Sequence, residues 1–444
     1  DTVQQNYEPI YASSEGALIR YDMGEVYLEL FPRGKTGEYI IPDDVTVLRD
    51  NVFRYAEITK LTIGIGVHTI SRRAFYSCQK LKTVEFAGKG TNDLKIDAEA
   101  FYRTSNVTTL RLPARLTEMD FQMINQFTKL TTLEVEEGGA YFSSKDNYIF
   151  NAAGTVILFA AMDISGEYEI PKGIREIGPM AYNGRTALTK ITIPSYVINI
   201  GDNAFQNCSN VAEIVVTGGR NFDLNIGNSA FVGCERITKV TFQGNKNNKL
   251  DPGLITIGNS AFENDDLLGT VVFEPGVNVA LIGDRAFANS KSLHTVIYSD
   301  GAVISTIGNE VFSGCTQLKE AVIPSTTTSL GNGVFSGCER IQSVVFQSRQ
   351  EEITFGADVF AGCTRLTVVN LPAMLNYFDA TVFAGCDSIT KIVVDPANVH
   401  FVDFGGALYT KDYTELLFYP RNLDGNMREI VLWSTDGTWI GAVD

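Results

Sequence analysis

Histidine is nearly missing from this chain of 444 residues: His68, His294 and His400 are all there is, each far from the others in sequence. The commonest general base and metal ligand is therefore scarce. Long apolar segments are lacking too. The longest, Thr155 to Met162, falls well short of the roughly 18 residues of a membrane span. Seven cysteines occur, but never as a C-x-x-C pair that would suggest a metal or redox site. No G-x-S-x-G elbow, H-E-x-x-H pair or calcium loop is present. Gly34-Lys35-Thr36 imitates the end of a phosphate loop, yet Glu29 stands where its first glycine belongs, and Gly64-Ile65-Gly66 has Thr69 in place of a third glycine. Adjacent acids such as Asp43-Asp44, Glu136-Glu137, Asp265-Asp266 and Glu351-Glu352 could serve glycoside chemistry, but in loops they read as solvated charge. These absences put an enzyme last among the readings, and no catalytic residue, cofactor or metal is assigned.

What is present excludes further classes. Hydrophobic residues make up 44% and charged residues 20%, far from a disordered composition. The 36 Lys and Arg against 52 Asp and Glu leave a net charge of −16, which repels a phosphate backbone and excludes nucleic acid as the expected partner. The chain begins at Asp1 with neither Met nor an apolar leader, as expected of a mature or excised form, so it cannot display an export signal of its own.

The dominant feature is repetition. IGNSAFVGCERITKVTF (226–242) matches IGNEVFSGCTQLKEAVI (307–323). An anchoring phenylalanine recurs at Phe53, Phe75, Phe101, Phe205, Phe231, Phe262, Phe287, Phe312, Phe335, Phe360 and Phe383, with Ile124 and Tyr182 in the same slot of two weaker copies. Thirteen copies at a period of about 23 residues make one solenoid rather than the three domains that length suggests. Three residues before the anchor stand Asp50, Asp202, Asn228, Asn259, Asp284, Asn309 and Asn332, suited to capping a short helical turn. Two residues after it stand Asn207, Gly233, Gly314, Gly337, Gly362 and Gly385, which tolerate the left-handed conformation that ends such a turn. Apolar residues then fall at the sixth, ninth and eleventh positions, as in Leu318, Ala321 and Ile323, the last two with the period of a short inward-facing strand. All seven cysteines (Cys78, Cys208, Cys234, Cys315, Cys338, Cys363 and Cys386) fall three residues after an anchor. A bridge between neighbouring rungs is conceivable, but a column of small buried thiols is the favoured reading.

The pattern IGxxAFxxCxxLxxVxF, with loops ending in Ile41-Pro42, Ile170-Pro171, Ile193-Pro194 and Ile323-Pro324, resembles the BspA-like leucine-rich repeats over roughly residues 40–395. The resemblance implies an α/β solenoid: a leucine-rich-repeat superhelix with a parallel sheet on one face, short helical turns on the other, and inserted β-hairpins. It also implies a bacterial protein that is secreted, displayed at the cell surface or anchored in the outer membrane, with extracellular or host proteins, matrix proteins among them, as partners. Three mutually similar segments interrupt the repeat, Tyr11–Pro42, Tyr141–Pro171 and Phe401–Ile430, and each reads as a hairpin. The expected organisation is an N-terminal hairpin cap over 1–46, repeats one to four over 47–135, an inserted hairpin unit over 136–172, repeats five to thirteen over 173–395, and a C-terminal hairpin with a closing rung over 396–444. In that last segment Trp433 and Trp439 either cover the end or precede a further repeat.

A ligand surface is sought on the outward positions of the strand. Ten residues after the anchor the column begins polar, with Glu85, Arg111, Glu134 and Thr192. It then turns apolar at Val215, Val272, Ile297, Val322, Val345 and Val393, interrupted by Thr241 and Asn370. Aligned on a sheet these valines would form a docking stripe, although β-branched residues also simply favour strands. Two positions earlier, Lys190, Glu213, Lys239, Glu320 and Lys391 form a rim of mixed sign. No surface cluster of Arg and aromatic residues stands out as a hot spot. The leading expectation is a non-enzymatic adhesin binding protein through this stripe. A spacer displaying another domain, and a carbohydrate-binding module using Tyr141, Phe142, Tyr148 and Tyr413, are the alternatives.

Overall fold

The computed structural model describes residues 9–219, 222–244, 253–348, 351–423, 430–433 and 439–443, the last two as backbone alone. The cover expected of Trp433 and Trp439 is a matter of side chains and so lies outside the described residues. The chain divides into two compact units, residues 1–164 with 180–182, and residues 165–179 with 183–444.

Each rung has the same course. In the second unit, the short strand Asn199–Ile200 leads into a run of turns over 201–208, then into the longer strand Glu213–Thr217, and a loop returns to the next short strand, Leu224–Ile226. Successive short strands pair in parallel, Ile200 beside Ile226 beside Ile257, and successive long strands do the same, Ile214 beside Val240 beside Val271. The first unit repeats this arrangement. Its long strands Glu57–Ile63, Thr83–Phe86, Thr109–Leu112 and Thr132–Val135 form one parallel sheet, and Val47–Leu48, Thr69–Ile70 and Leu94–Ile96 belong to another. The three apolar positions after each anchor face the space between the sheets, and Leu318, Ala321 and Ile323 are all buried. Each inserted segment is a three-stranded antiparallel meander. The first comprises Ile10–Ser14, Ala17–Asp22 and Glu25–Leu30, whose last strand pairs in parallel with Val47–Leu48. The others comprise Phe142–Lys145, Tyr148–Asn151 and Val156–Phe159, and Phe401–Phe404, Ala407–Thr410 and Leu416–Phe418.

The expected helical turns are not there. The described residues contain a single short 3-10 helix, Phe121–Gln126, capped by Asp120, whose carboxylate accepts from the Gln122 amide at 2.9 Å. The protein is a β-solenoid, not an α/β one. The reason lies in how the turn residues spend their N–H groups. Across 203–208 they alternate. The amides of Gln206 and Cys208 bond back within the turn to Asn203 and Phe205, whereas those of Asn203, Phe205 and Asn207 bond to carbonyls of Asn228, Ala230 and Val232 in the next rung. A helix would require every amide for its own segment. Two left-handed residues in most rungs, this one included, produce the alternation. The one after the anchor falls where glycine and asparagine predict it, for example Asn207 at φ 59° and Gly233 at φ 78°. The other lies two residues before the anchor, at Arg73, Asn203, Ser229, Arg285 and Glu310 among others, where residue type carries no signal of it.

The Asp and Asn column does cap, but across rungs. Asp202 accepts from the amide of Asn228 at 2.7 Å, Asn228 from Asn259 and Asn259 from Asp284 at 2.9 Å, Asp284 from Asn309 at 2.7 Å, and Asn309 from Asn332 at 2.9 Å. The glycine just before each of these residues is a matter of space. A Cβ at Gly331 would sit 2.5 Å from the backbone carbon of Gly308, and one at Gly258 would sit 2.6 Å from that of Gly227.

Inside this frame the anchors stack. From Phe205 to Phe383 eight rings lie with successive centroids 4.8 to 5.7 Å apart and planes within 14° of parallel. Full burial of each ring contributes about 1.5–3 kcal/mol. The thiols have a further role that composition alone does not reveal. Cys78 donates to the carbonyl of Phe53 at 2.9 Å, Cys315 to Phe287 at 3.3 Å, Cys338 to Phe312 at 3.1 Å and Cys386 to Phe360 at 3.0 Å, always the anchor of the preceding rung. Thr104 and Ser290 occupy the same slot and donate to Phe75 and Phe262. All seven thiols are free and buried, and burial pushes Cys78 and Cys315 up to about 12.

Asp265 is the acidic member of this column. It is 1% exposed and neither carboxyl oxygen has a partner among the described residues, so desolvation, followed by the nearby charge of Asp266, raises its pKa well above the usual carboxylate range.

Two outcomes follow. Gly331→Ala should lower stability by about 1–3 kcal/mol through overpacking against backbone, read from the urea midpoint, while Gly34→Ala, with nothing within 4 Å of the added methyl, should leave it unchanged. For Asp265, the folded state holds a proton that the unfolded chain releases near pH 4. Its contribution is complete below that pH and is lost as pH rises through the raised folded-state value. Asp265→Ser should therefore raise the melting temperature more at pH 8 than at pH 5; a gain independent of pH would refute the assignment of a buried, protonated carboxyl.

Candidate interaction surfaces

The outward column of the long strands differs between the two units. In the first unit it is a row of alternating charge. The Arg111 guanidinium bridges the carboxylates of Glu85 and Glu134, the latter at 3.0 Å, and Lys60 reaches Glu85 at 3.2 Å. These cations hold Glu85 below the usual carboxylate range, chiefly through the Lys60 hydrogen bond. At the ends of these strands Glu85, Lys89, Arg111 and Glu136 line a hollow of about 440 Å³.

In the second unit the valines of the column and Ile297 are all at least partly exposed. The sheet register places Thr192 beside Val215, Val215 beside Thr241, Thr241 beside Val272 and Val272 beside Ile297. Val322 lies beside Val345 in a second ladder, and Asn370 beside Val393 in a third. Ile297 and Val345 are the most exposed members, at 42% and 39%. Thr241 is buried, so it divides the column rather than merely making it polar. Towards its C-terminal end the stripe enters an open groove of about 470 Å³, walled by Val345, Phe346, Leu371, Pro372 and Val393, with Asn370 and Asp395 supplying polar atoms. Of the rim residues, Lys190 and Glu213 pair at 2.9 Å across neighbouring strands.

A cluster of arginine and aromatic residues does exist, contrary to the sequence reading. It lies on the turns of the first unit. Tyr55, Tyr76 and Tyr102 occupy successive rungs with ring centroids 5.6 and 5.9 Å apart. Arg54 lies 5.0 and 5.1 Å from the first two rings, Arg103 6.0 and 5.7 Å from the last two, Arg33 5.7 Å from Tyr55 and Arg73 5.2 Å from Tyr102. Arg54 donates to the Tyr55 hydroxyl at 3.4 Å, which holds that hydroxyl below the usual tyrosine range. The cluster escaped the sequence reading because its members come from different slots of three repeats and, in Arg33, from the turn ahead of them. The period of the repeat was the available signal: Arg54, Tyr76 and Tyr102 all stand one residue after an anchor.

The hairpin aromatics are dispersed. Tyr141 is exposed, Phe142 packs edge-on against Phe121 at 5.0 Å, Tyr148 stacks on Phe150 at 5.9 Å, and Tyr413 lies near Phe404 and Tyr409. His68 meets Glu25 at 3.0 Å, and Glu25 also accepts from Thr46, which ties the N-terminal meander to the first rungs. Among the described residues no group of three or more His, Cys, Asp and Glu is placed to hold a metal ion, and no helix is long and apolar enough to cross a membrane.

Stacked 23-residue rungs that expose a sheet on one side and turns on another define a leucine-rich-repeat protein. The chain belongs to the family of BspA type leucine rich repeat regions, whose pattern matches residues 27–153 and, in overlapping stretches, 158–403. Proteins with such repeats are generally protein-interaction scaffolds, and no enzyme family is indicated. No curated protein matches the chain. Similar solved structures include a leucine-rich repeat protein from Bacteroides ovatus ATCC 8483 (19% identity, 88% of this chain and 98% of that one, TM-score 0.49). Another is a leucine-rich repeat protein from Eubacterium ventriosum ATCC 27560 (18% identity, 80% and 95%, TM-score 0.49). A third is a leucine rich cell surface protein from Faecalibacterium prausnitzii A2-165 (18% identity, 88% and 96%, TM-score 0.40).

Proposed function

We propose that this protein is a non-enzymatic adhesin, displayed outside the cell, which holds host matrix proteins or other cells through the exposed sheet of its second unit. The carrying observation is the apolar column that runs through Val322 and Val345 and opens into the groove beside Val393. Solvent-facing strand positions hold charge in the first unit, where Lys60 and Arg111 neutralise Glu85 and Glu134. The same slot in the second unit leaves Val345 and Ile297 without cover. An apolar floor with polar atoms at its edge suits the insertion of a partner's apolar side chain, with the rim excluding water around it. Membership of the family supports a protein partner and an extracellular setting.

The test is solid-phase binding of the chain to a panel of matrix proteins, fibronectin and fibrinogen included, beside a Val322→Arg/Val345→Arg variant of unchanged circular dichroism. Wild type should bind saturably and the variant about thirtyfold more weakly, as expected for loss of a central contact. Equal binding by both would remove the stripe as the site.

A further inference from the structure

The turn face of the first unit has a composition that folding does not account for. Two residues after the anchor nearly every described rung has a left-handed residue. In the second unit that slot holds Asn207, Gly233, Asn264, Asn289, Gly314, Gly337, Gly362 or Gly385, the residues that adopt this conformation at least cost. In the first unit Gln126 falls in the 3-10 helix and is not left-handed, Ser77 adopts φ 54°, and two bulky residues stand in the slot, Tyr55 at φ 61° and Arg103 at φ 61°. A bulky side chain in this conformation costs of order 1 kcal/mol or more, and neither is repaid by burial, since both are exposed.

The charges there are arranged for binding rather than for pairing. In this chain of net charge −16 some turn-face arginines are neutralised: Arg285 bridges Glu263 and Glu310, and Arg72 shares Glu99 with Arg73, the one paired arginine beside the tyrosines. Arg33, Arg54 and Arg103 have no carboxylate within 4 Å among the described residues, and they rest on tyrosine rings instead. Each of the three rings has two guanidinium groups within 6.0 Å of its centroid. The ring faces are thus covered by cations, so the surface offers guanidinium N–H groups held in place rather than open rings for stacking a sugar.

We infer that the Arg54–Tyr76–Arg103 face of the first unit is a second docking surface, which takes an acidic, Asp- or Glu-rich segment of a partner protein. Guanidinium forks match carboxylates in two-point geometry, stacking on tyrosine restricts their rotamers before binding, and arginine and tyrosine are the residues that dominate protein interfaces. The surface is separate from the valine stripe and its test does not depend on the outcome there.

The experiment uses the full chain and fluorescein-labelled deca-glutamate, with deca-lysine as the control peptide, followed by fluorescence anisotropy. Wild type should bind deca-glutamate saturably, more weakly as salt rises, and should not bind deca-lysine. Arg54→Ala/Arg103→Ala should bind about tenfold more weakly. Arg54→Lys/Arg103→Lys should fall between the two, and Lys239→Ala/Lys391→Ala, on the sheet of the other unit, should bind as wild type does. Absence of binding by wild type, an unaffected arginine variant, or equal loss in the lysine-pair control would each overturn the inference. Tighter binding of heparin with the same dependence on Arg54 and Arg103 would also overturn it, making the occupant a sulfated glycan. Should the arginine variant lose its fold, hydrogen exchange on the wild type decides. Slowed amides over 53–57, 75–79 and 101–105 on adding deca-glutamate support the surface, and slowing elsewhere refutes it.

Discussion

Adjacent rungs are joined by backbone hydrogen bonds, and that junction holds equivalent residues about 5 Å apart. Every other feature is a consequence of this spacing. A position in one rung meets the same position in the next, so side chains must suit their own copies: phenylalanine stacks on phenylalanine, and asparagine accepts from the amide of the next asparagine. Glycine precedes that asparagine because a methyl group there would meet the neighbouring backbone at 2.5 to 3.0 Å. The same spacing consumes the turn amides and so forbids the helix that capping residues suggest. It also places a donor slot opposite the carbonyl of the preceding anchor, which cysteine fills with a weak but correctly aimed S–H, and threonine or serine with a hydroxyl. Asp265 in the same slot makes no such bond, and burial raises its pKa instead.

Function has freedom only where the columns face solvent. On the long strands the outward positions are not restrained by the core, and the two units use them differently, one closing its charges into a row and the other leaving valines open. On the turns the constraint is tighter, since nearly every described rung takes a left-handed backbone there. Placing Tyr55 and Arg103 at such positions opposes the local preference, and residues that break a local rule without a packing gain are those in which a binding role is best sought.

The fold was legible because it is written thirteen times. Period, anchor, inward apolar positions and the left-handed slot after the anchor all follow from residue type, since only some residues survive stacking on themselves. The helical reading failed at a point where one rung is an incomplete unit: Asp202 looks like a cap for its own turn, and the amide it satisfies belongs to Asn228. The valine column could be aligned from the repeat, but burial of Thr241 within it, and the groove beyond Val345, depend on how neighbouring strands and loops meet.

The tyrosine and arginine face marks the same boundary. Arg33 comes from the turn that follows the N-terminal meander, Arg54 and Tyr55 from the first repeat, Tyr76 from the second, and Tyr102 and Arg103 from the third. The sequence by itself determined the repeating unit and which of its positions are buried, because burial recurs at fixed intervals and hydrophobic pattern records it. Only the tertiary structure decided which exposed side chains become neighbours. That depends on stacking residues more than twenty positions apart, and a stacked guanidinium and ring leave no trace in the order of residues along the chain.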